Sequence, residues 1–121
     1  MRYLALAALL LGACAHDMTK KTAPVEPPST LPPAARDELA SDEQQLRRFD
    51  AELDALSAQA QPLDCARFAL LRDNICTLAE RICSLADRYP AEPTLPPLCT
   101  DARKRCARAA SEAAKQRACG P

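Results

Sequence analysis

The 121-residue chain predicts an all-α fold: a three-helix bundle in which two helices form an antiparallel hairpin held by disulfides. Three observations predict it. Apolar residues recur at helical spacing in three segments, at about 34–60, 62–89 and 98–118. A proline-rich stretch separates the last two segments. Six cysteines lie on or just beyond these two segments, in a pattern that fits an antiparallel pair. Because aromatic residues make up only 3% of the chain, the core is small and benefits from covalent crosslinks.

The first predicted helix covers about residues 34–60. Pro32 and Pro33 precede it or open it, and proline suits a first turn because the N–H groups there have no helical acceptor. Apolar residues repeat at intervals of three, four or seven, as they do on one face of a helix. This stripe consists of Leu39, Leu46, Phe49, Leu53, Leu56 and Ala60.

The second predicted helix covers about residues 62–89 and ends before Pro90, because the residue before a proline avoids helical angles. Whether it is separate from the first helix is open, since Pro62 can also sit within one long kinked helix. The apolar stripe shifts by one residue between the two segments, which favours a break near Pro62. The second stripe consists of Phe68, Leu71, Ile75, Leu78, Ile82, Leu85 and Tyr89.

The third predicted helix follows a loop at residues 90–97, which contains four prolines. It covers about residues 98–118 and is rich in alanine, so it presents small side chains to a neighbour. Gly120 and Pro121 suit a helix end.

Six of the seven cysteines lie after residue 60 and allow fifteen pairings. Cys65, Cys76 and Cys83 share one face of the second helix, but the nearest two are about 10 Å apart along its axis. A disulfide needs Cα atoms within about 7 Å, so these three cannot pair with one another. Cys99 and Cys106 have the same seven-residue spacing and cannot pair either.

The disulfides must therefore cross between the second and third helices. In an antiparallel hairpin the residue numbers of facing pairs have a nearly constant sum, and the midpoint falls in the loop. One nested set meets both conditions, and the exported compartment inferred below permits disulfides. The predicted bonds are Cys83–Cys99, Cys76–Cys106 and Cys65–Cys119.

The first fourteen residues follow a different pattern. Arg2 supplies a positive charge, residues 4–11 form a short apolar run, and Gly12, Ala13 and Cys14 end it. The run is too short to span a bilayer, which takes about 20 residues, and it fits the apolar region of a signal peptide. This order resembles the signal peptide and lipobox of bacterial lipoproteins.

The resemblance implies that residues 1–13 are removed and that Cys14 carries a diacylglyceryl thioether and an N-terminal acyl chain. Two or more acyl chains give stable membrane attachment. Ala15 stands where enterobacterial lipoproteins retained in the inner membrane carry Asp, which favours the outer membrane, facing the periplasm. Residues 14–33 are then a proline-rich flexible tether, and residues 34–121 form the folded domain.

Charge predicts how the helices are arranged. The net charge is zero, so nothing indicates nucleic-acid binding. Segment 34–60 has seven acidic and three basic residues, whereas segment 98–118 has two acidic and six basic, so the two suit each other as neighbours. The alternative is a basic face that binds a partner or anionic lipid. That face consists of Arg103, Lys104, Arg105 and Arg108.

The cysteines also allow a metal-binding hypothesis. In reduced form, Cys76, Cys83, Cys99 and Cys106 can hold zinc or copper(I), and in outline the chain resembles cysteine-lined helical bundles that store copper in bacteria. The seven-residue spacing, the lack of CxxC or CxxxC and the lack of methionine after Met18 argue against it. The chain also lacks the close pair of cysteines that thiol redox catalysis usually needs.

The sequence contains neither GxSxG nor a phosphate-binding loop, and its single histidine, His16, lies in the tether. We therefore expect no enzymatic activity, no cofactor and no small-molecule substrate. The expectation that remains is a membrane-anchored envelope lipoprotein that serves as a structural or adaptor module for a protein partner. Binding or storage of copper or zinc is the alternative.

Overall fold

The computed structural model describes residues 29–59, 64–116 and 119, and over these residues the predicted three-helix fold is confirmed. The helices are α1 (Pro33–Ser57), α2 (Cys65–Arg88) and α3 (Leu95–Lys115). Ion pairs between the helices show their relative directions. Glu38 of α1 pairs with Arg88 at one end of α2, and Glu52 pairs with Arg67 at the other, so α1 and α2 are antiparallel. The two disulfides between α2 and α3 show the same relation for that pair, which makes α1 and α3 parallel.

Helices α1 and α2 are separate, as the shift in the apolar stripe predicted. Helix α1 ends at Ser57 and α2 begins at Cys65. The carboxylate of Asp64 accepts a hydrogen bond from the backbone N–H of Arg67 at 2.9 Å, which satisfies one of the free donors at the start of α2. Pro62, where the break was expected, lies outside the described residues.

Helix α3 begins at Leu95, three residues before the predicted start. Pro96 and Pro97 occupy its first turn, where a missing N–H costs no helical hydrogen bond. These two prolines therefore start a helix instead of stiffening a loop. Helix α3 ends at Lys115. The predicted stop at the C-terminal Gly-Pro pair lies outside the described residues.

The main core is built from the predicted apolar stripes, with α2 contributing most of the large side chains. Phe68 and Leu71 are at most 1% exposed. The fully buried members from α3 are Ala102 and Ala109, whose small side chains let α2 and α3 lie close together, and Leu98 packs against the cluster partly buried. The buried cluster consists of Leu46, Leu53, Leu56, Phe68, Leu71, Ile75, Leu78, Ala79, Ile82, Ala102 and Ala109.

A second, smaller cluster lies where α2 turns into α3. It joins Leu31, Ala35, Leu85 and Leu95, which are all buried. Leu31 comes before α1, in the part of the chain that was expected to be tether. Residues 29–32 therefore pack against the bundle, because Leu31 has an apolar site to fill there. We call residues 29–32 the strap.

Candidate functional site

The three predicted disulfides are formed. The Cα atoms are 4.6 Å apart in Cys83–Cys99, 4.6 Å in Cys76–Cys106 and 5.2 Å in Cys65–Cys119. Two of the bonds connect α2 with α3, and the third connects α2 with Cys119, which lies beyond the end of α3. Helix α1 contains no cysteine. The hairpin is thus held covalently along its length, whereas α1 is held by side-chain contacts.

Two grooves follow the disulfides, and we call this surface the α2–α3 seam. The middle groove has a volume of about 290 Å³ and lies beside Cys76–Cys106 and Cys83. The end groove has a volume of about 460 Å³ and lies beside Cys65–Cys119, against Phe68. The residues that line both grooves belong to α2 and α3, together with Cys119. The seam is therefore a long surface that α1 does not cover.

Charged side chains border the middle groove in an asymmetric way. Glu80 and Asp87 of α2 lie on one side, seven residues apart and exposed, and Arg103 of α3 lies on the other. The end groove has Arg72 on its α2 side and the small side chains of Ala110 and Ala114 on its α3 side. The acidic edge of α2 therefore belongs to the middle groove, and the small-residue edge of α3 belongs to the end groove.

The predicted basic face of α3 is divided by the structure. Arg105 lies 2.7 Å from Asp50 and 2.9 Å from Asp101, and Arg108 pairs with Asp50 and, at 2.6 Å, with Asp54. Asp50 and Asp54 belong to α1, so the predicted attraction between these helices is confirmed.

These ion pairs also shift the ionisation of both arginines. Hydrogen bonds raise the pKa of Arg105, mainly from Asp101, and that of Arg108, mainly from Asp50. Arg103 and Lys104, the other two members of the predicted face, are exposed. Arg105 and Arg108 are partly exposed but paired with acids, so Arg103 and Lys104 are the more accessible half of the basic face.

The metal-binding hypothesis depends on free thiolates. In the structure, Cys76, Cys83, Cys99 and Cys106 are bonded in two disulfides, so their sulfurs are not available as ligands in this oxidised form. Within residues 29–59 and 64–116, no group of three or more potential ligands is arranged to hold a metal ion. Cys14 and His16 lie outside the described residues.

A buried carboxylate that the sequence reasoning missed joins the strap to the turn between α2 and α3. Glu92 is only 3% exposed. Its Oε2 accepts hydrogen bonds from the N–H and the hydroxyl of Thr30, both at 2.8 Å, and from the hydroxyl of Ser29 at 3.4 Å. Its Oε1 accepts the hydroxyl of Thr94 at 2.8 Å. The Thr30 hydroxyl is the main cause that lowers the pKa of Glu92, followed by Thr94.

A sequence signal for this contact exists. The chain contains Thr-Leu-Pro-Pro twice, once before α1 and once at the start of α3. In the structure both threonines, Thr30 and Thr94, donate to Glu92, and both leucines, Leu31 and Leu95, enter the small cluster. The repeat therefore marks two parallel helix starts that share one carboxylate.

A second buried carboxylate that the sequence reasoning missed is Asp42 of α1. Its side chain is fully buried, and its Oδ1 lies 2.9 Å from a guanidinium nitrogen of Arg81, which is half exposed. Neither carboxylate oxygen has a well-directed hydrogen bond among the described residues. Burial raises the pKa of Asp42 and outweighs Arg81, which lowers it. The signal was the seven-residue gap between Leu39 and Leu46, which Asp42 occupies.

Compared with models of protein families, with curated proteins and with solved structures, the chain matches none. Over the described part of the chain, no helix combines the length and the apolarity that crossing a membrane requires.

Proposed function

We propose that this chain is a lipid-anchored protein of the bacterial cell envelope that serves as a helical adaptor, binding a protein partner at the membrane surface. The anchor is Cys14, which follows an apolar run and two small residues in the order of a lipobox. Ala15 supports the outer membrane over the inner one. The basis for the anchor is the resemblance to bacterial lipoproteins.

The observation that carries the proposal is the set of three disulfides between α2 and α3. Disulfides persist in oxidising compartments such as the bacterial periplasm and are rare in the cytosol. They therefore support export independently of the N-terminal motif. They also explain how a bundle with so few aromatic residues is stable enough to be displayed at a membrane.

The partner surface that the geometry supports best is the α2–α3 seam. Its occupant, in this proposal, is a helix of the partner protein that lies along the grooves, a common mode of helix recognition. Ala110 and Ala114 allow close approach. Glu80 and Asp87 favour a partner helix with basic residues seven positions apart, because complementary charges select the partner and its register.

The anchor is tested by intact mass and non-reducing peptide mapping of the protein extracted from its native membrane. We expect a lipid mass on Cys14 and the three disulfides. Cys14→Ser should lose the lipid and leave the lipoprotein fraction. Ala15→Asp should keep the lipid and move the protein to the inner membrane in an enterobacterial host. An unmodified Cys14 would contradict the anchor, and a bound metal with free thiols would favour the metal-binding hypothesis.

The seam is tested by photocrosslinking in intact cells. A photoreactive amino acid replaces Ser84, which lines the middle groove, and in a control it replaces Ala51, which is exposed on α1. We expect one protein adduct from position 84 and none from position 51. Glu80→Lys combined with Asp87→Lys should abolish the adduct. Equal yields at both positions, or a yield unaffected by the charge reversal, would rule out this surface.

A further inference from the structure

Helix α1 follows the proposed tether, and among the three described helices it is the one that no disulfide joins to a neighbour. All three disulfides lie between α2 and α3 or Cys119. Its own contacts are the core leucines and ion pairs such as Arg108–Asp54. If nothing else held the chain before α1, tension on the residues before 29 would pull directly at the first turn of this helix. There it would break these contacts one after another, starting from one end.

The strap attaches the chain elsewhere before α1 begins. Glu92, which holds Thr30 by two hydrogen bonds at 2.8 Å, lies in the turn between α2 and α3. This turn lies inside the loop that Cys83–Cys99 closes, so it belongs to the covalently closed hairpin. Leu31 adds an apolar contact, because it is buried against Leu85 of α2 and Leu95 of α3.

We propose that the strap and Glu92 form a mechanical clamp that transfers tension from the N-terminal tether to the disulfide-bonded hairpin and so protects α1 from being pulled off. The strap reaches the hairpin at the end where α1 and α3 begin. Tension therefore passes from Thr30 to Glu92 and then along the hairpin, and bypasses the contacts of α1. The membrane origin of this tension rests on the lipid anchor proposed above, whereas the clamp itself does not.

The clamp is tested by single-molecule stretching of the oxidised chain from residue 14 to its C-terminus, attached by handles at both ends and without lipid. Cys65–Cys119 keeps the hairpin closed, so the expected event is the release of residues 29–64 in one step. Thr30→Val removes one of the bonds to Glu92 and should lower the release force. Thr100→Val is the matched control, because the hydroxyl of Thr100 bonds to the carbonyl of Pro96 on the exposed side of α3.

The outcomes separate this inference from the proposed function, because the experiment needs no membrane. An equal release force for the native chain and Thr30→Val would overturn the clamp, whatever the mass of Cys14 shows. Hydrogen exchange provides a second measurement without force. Thr30→Val should speed exchange in the first turns of α1 and leave the amides of α2 unchanged. Unchanged exchange in α1, or faster exchange throughout, would also overturn the clamp.

Discussion

Thr30 and Thr94 donate their hydroxyls to opposite oxygens of one carboxylate, that of Glu92, each at 2.8 Å. Each threonine precedes the same Leu-Pro-Pro sequence. The start of α1 and the start of α3, two parallel neighbours, are thereby joined through a single buried acid. This contact extends the folded part of the chain to Ser29.

Glu92 should make the strap sensitive to acid. Its hydrogen bonds lower its pKa below the ordinary value of 4.5. The ionised form is thus favoured in the folded protein, and its contribution to stability is complete above the ordinary pKa. It is lost as the pH falls through the lowered pKa of the folded protein. NMR titration of the Glu92 carboxyl carbon and the Thr30 amide should give one shared midpoint below 4.5. A midpoint at or above the ordinary value would contradict the observed bonds.

Asp42 should respond to pH in the opposite direction. In the unfolded chain the carboxyl group of Asp42 loses its proton near the ordinary pKa of 3.8, whereas in the folded protein it keeps the proton to a higher pH. Between these two pKa values the folded state binds more protons, so the free energy of unfolding falls as the pH rises. Above the raised pKa the burial of the charge is fully unfavourable. Urea denaturation across this pH range should show that the free energy of unfolding of the native chain falls relative to that of Asp42→Asn.

The same site should tolerate an apolar side chain. Asp42 lies on the apolar stripe of α1, and replacing a buried ionic group by a well-packed apolar one is often stabilising. We expect Asp42→Leu to raise the free energy of unfolding by about 1 kcal/mol. Because Arg81 is half exposed, Arg81→Ala should cost about 1 kcal/mol in the native chain and almost nothing beside Asp42→Leu. A double-mutant cycle measures this coupling. Additive costs would mean that Arg81 does not compensate the charge of Asp42.

The features that the sequence predicted are those with local periodicity. The stripe from Phe68 to Leu85 follows from helical spacing, and the disulfides follow because same-face cysteines on one helix are too far apart to pair. The strap has no such periodicity, since Thr30 and Glu92 are 62 residues apart. Prolines around Leu31 indicated a spacer by composition. The burial of Leu31 and the hydrogen bonds to Glu92 outweigh the tendency of a proline-rich segment to stay extended. Composition alone does not predict such a contact.

The ion pairs of Asp50 were also only partly predictable from the charges of the helices. Opposite charges on α1 and α3 predicted attraction, but not that one carboxylate would pair with both Arg105 and Arg108. Because both arginines are partly exposed, we expect Asp50→Asn to lower the free energy of unfolding by only about 1 kcal/mol at low salt. Screening at about 1 M salt should remove most of this cost. Denaturation at two salt concentrations measures the effect, with Glu80→Gln on the seam as the control. A cost that salt leaves unchanged would mean that Asp50 acts through packing.

The disulfides should stabilise the bundle less than the sum of their separate effects. In a chain that keeps only one of the three pairs, the loops span 16, 30 or 54 residues, and each bond should add about 3–4 kcal/mol by restricting the unfolded chain. In the native chain the bonds are nested. Once Cys83–Cys99 is closed, Cys76–Cys106 restricts only the two short segments between the bonds, so each further bond removes less entropy.

Six alanine-substituted chains test this: three that keep one pair and three that lack one pair. Urea denaturation of each, beside the native chain and a chain without the six cysteines, measures all the differences. Measured against the chain without the six cysteines, the summed gains of the three single-pair chains should exceed the gain of the native chain by about 1 kcal/mol. Equal totals would mean that the bonds act mainly in the folded state, by holding α2 against the alanines of α3.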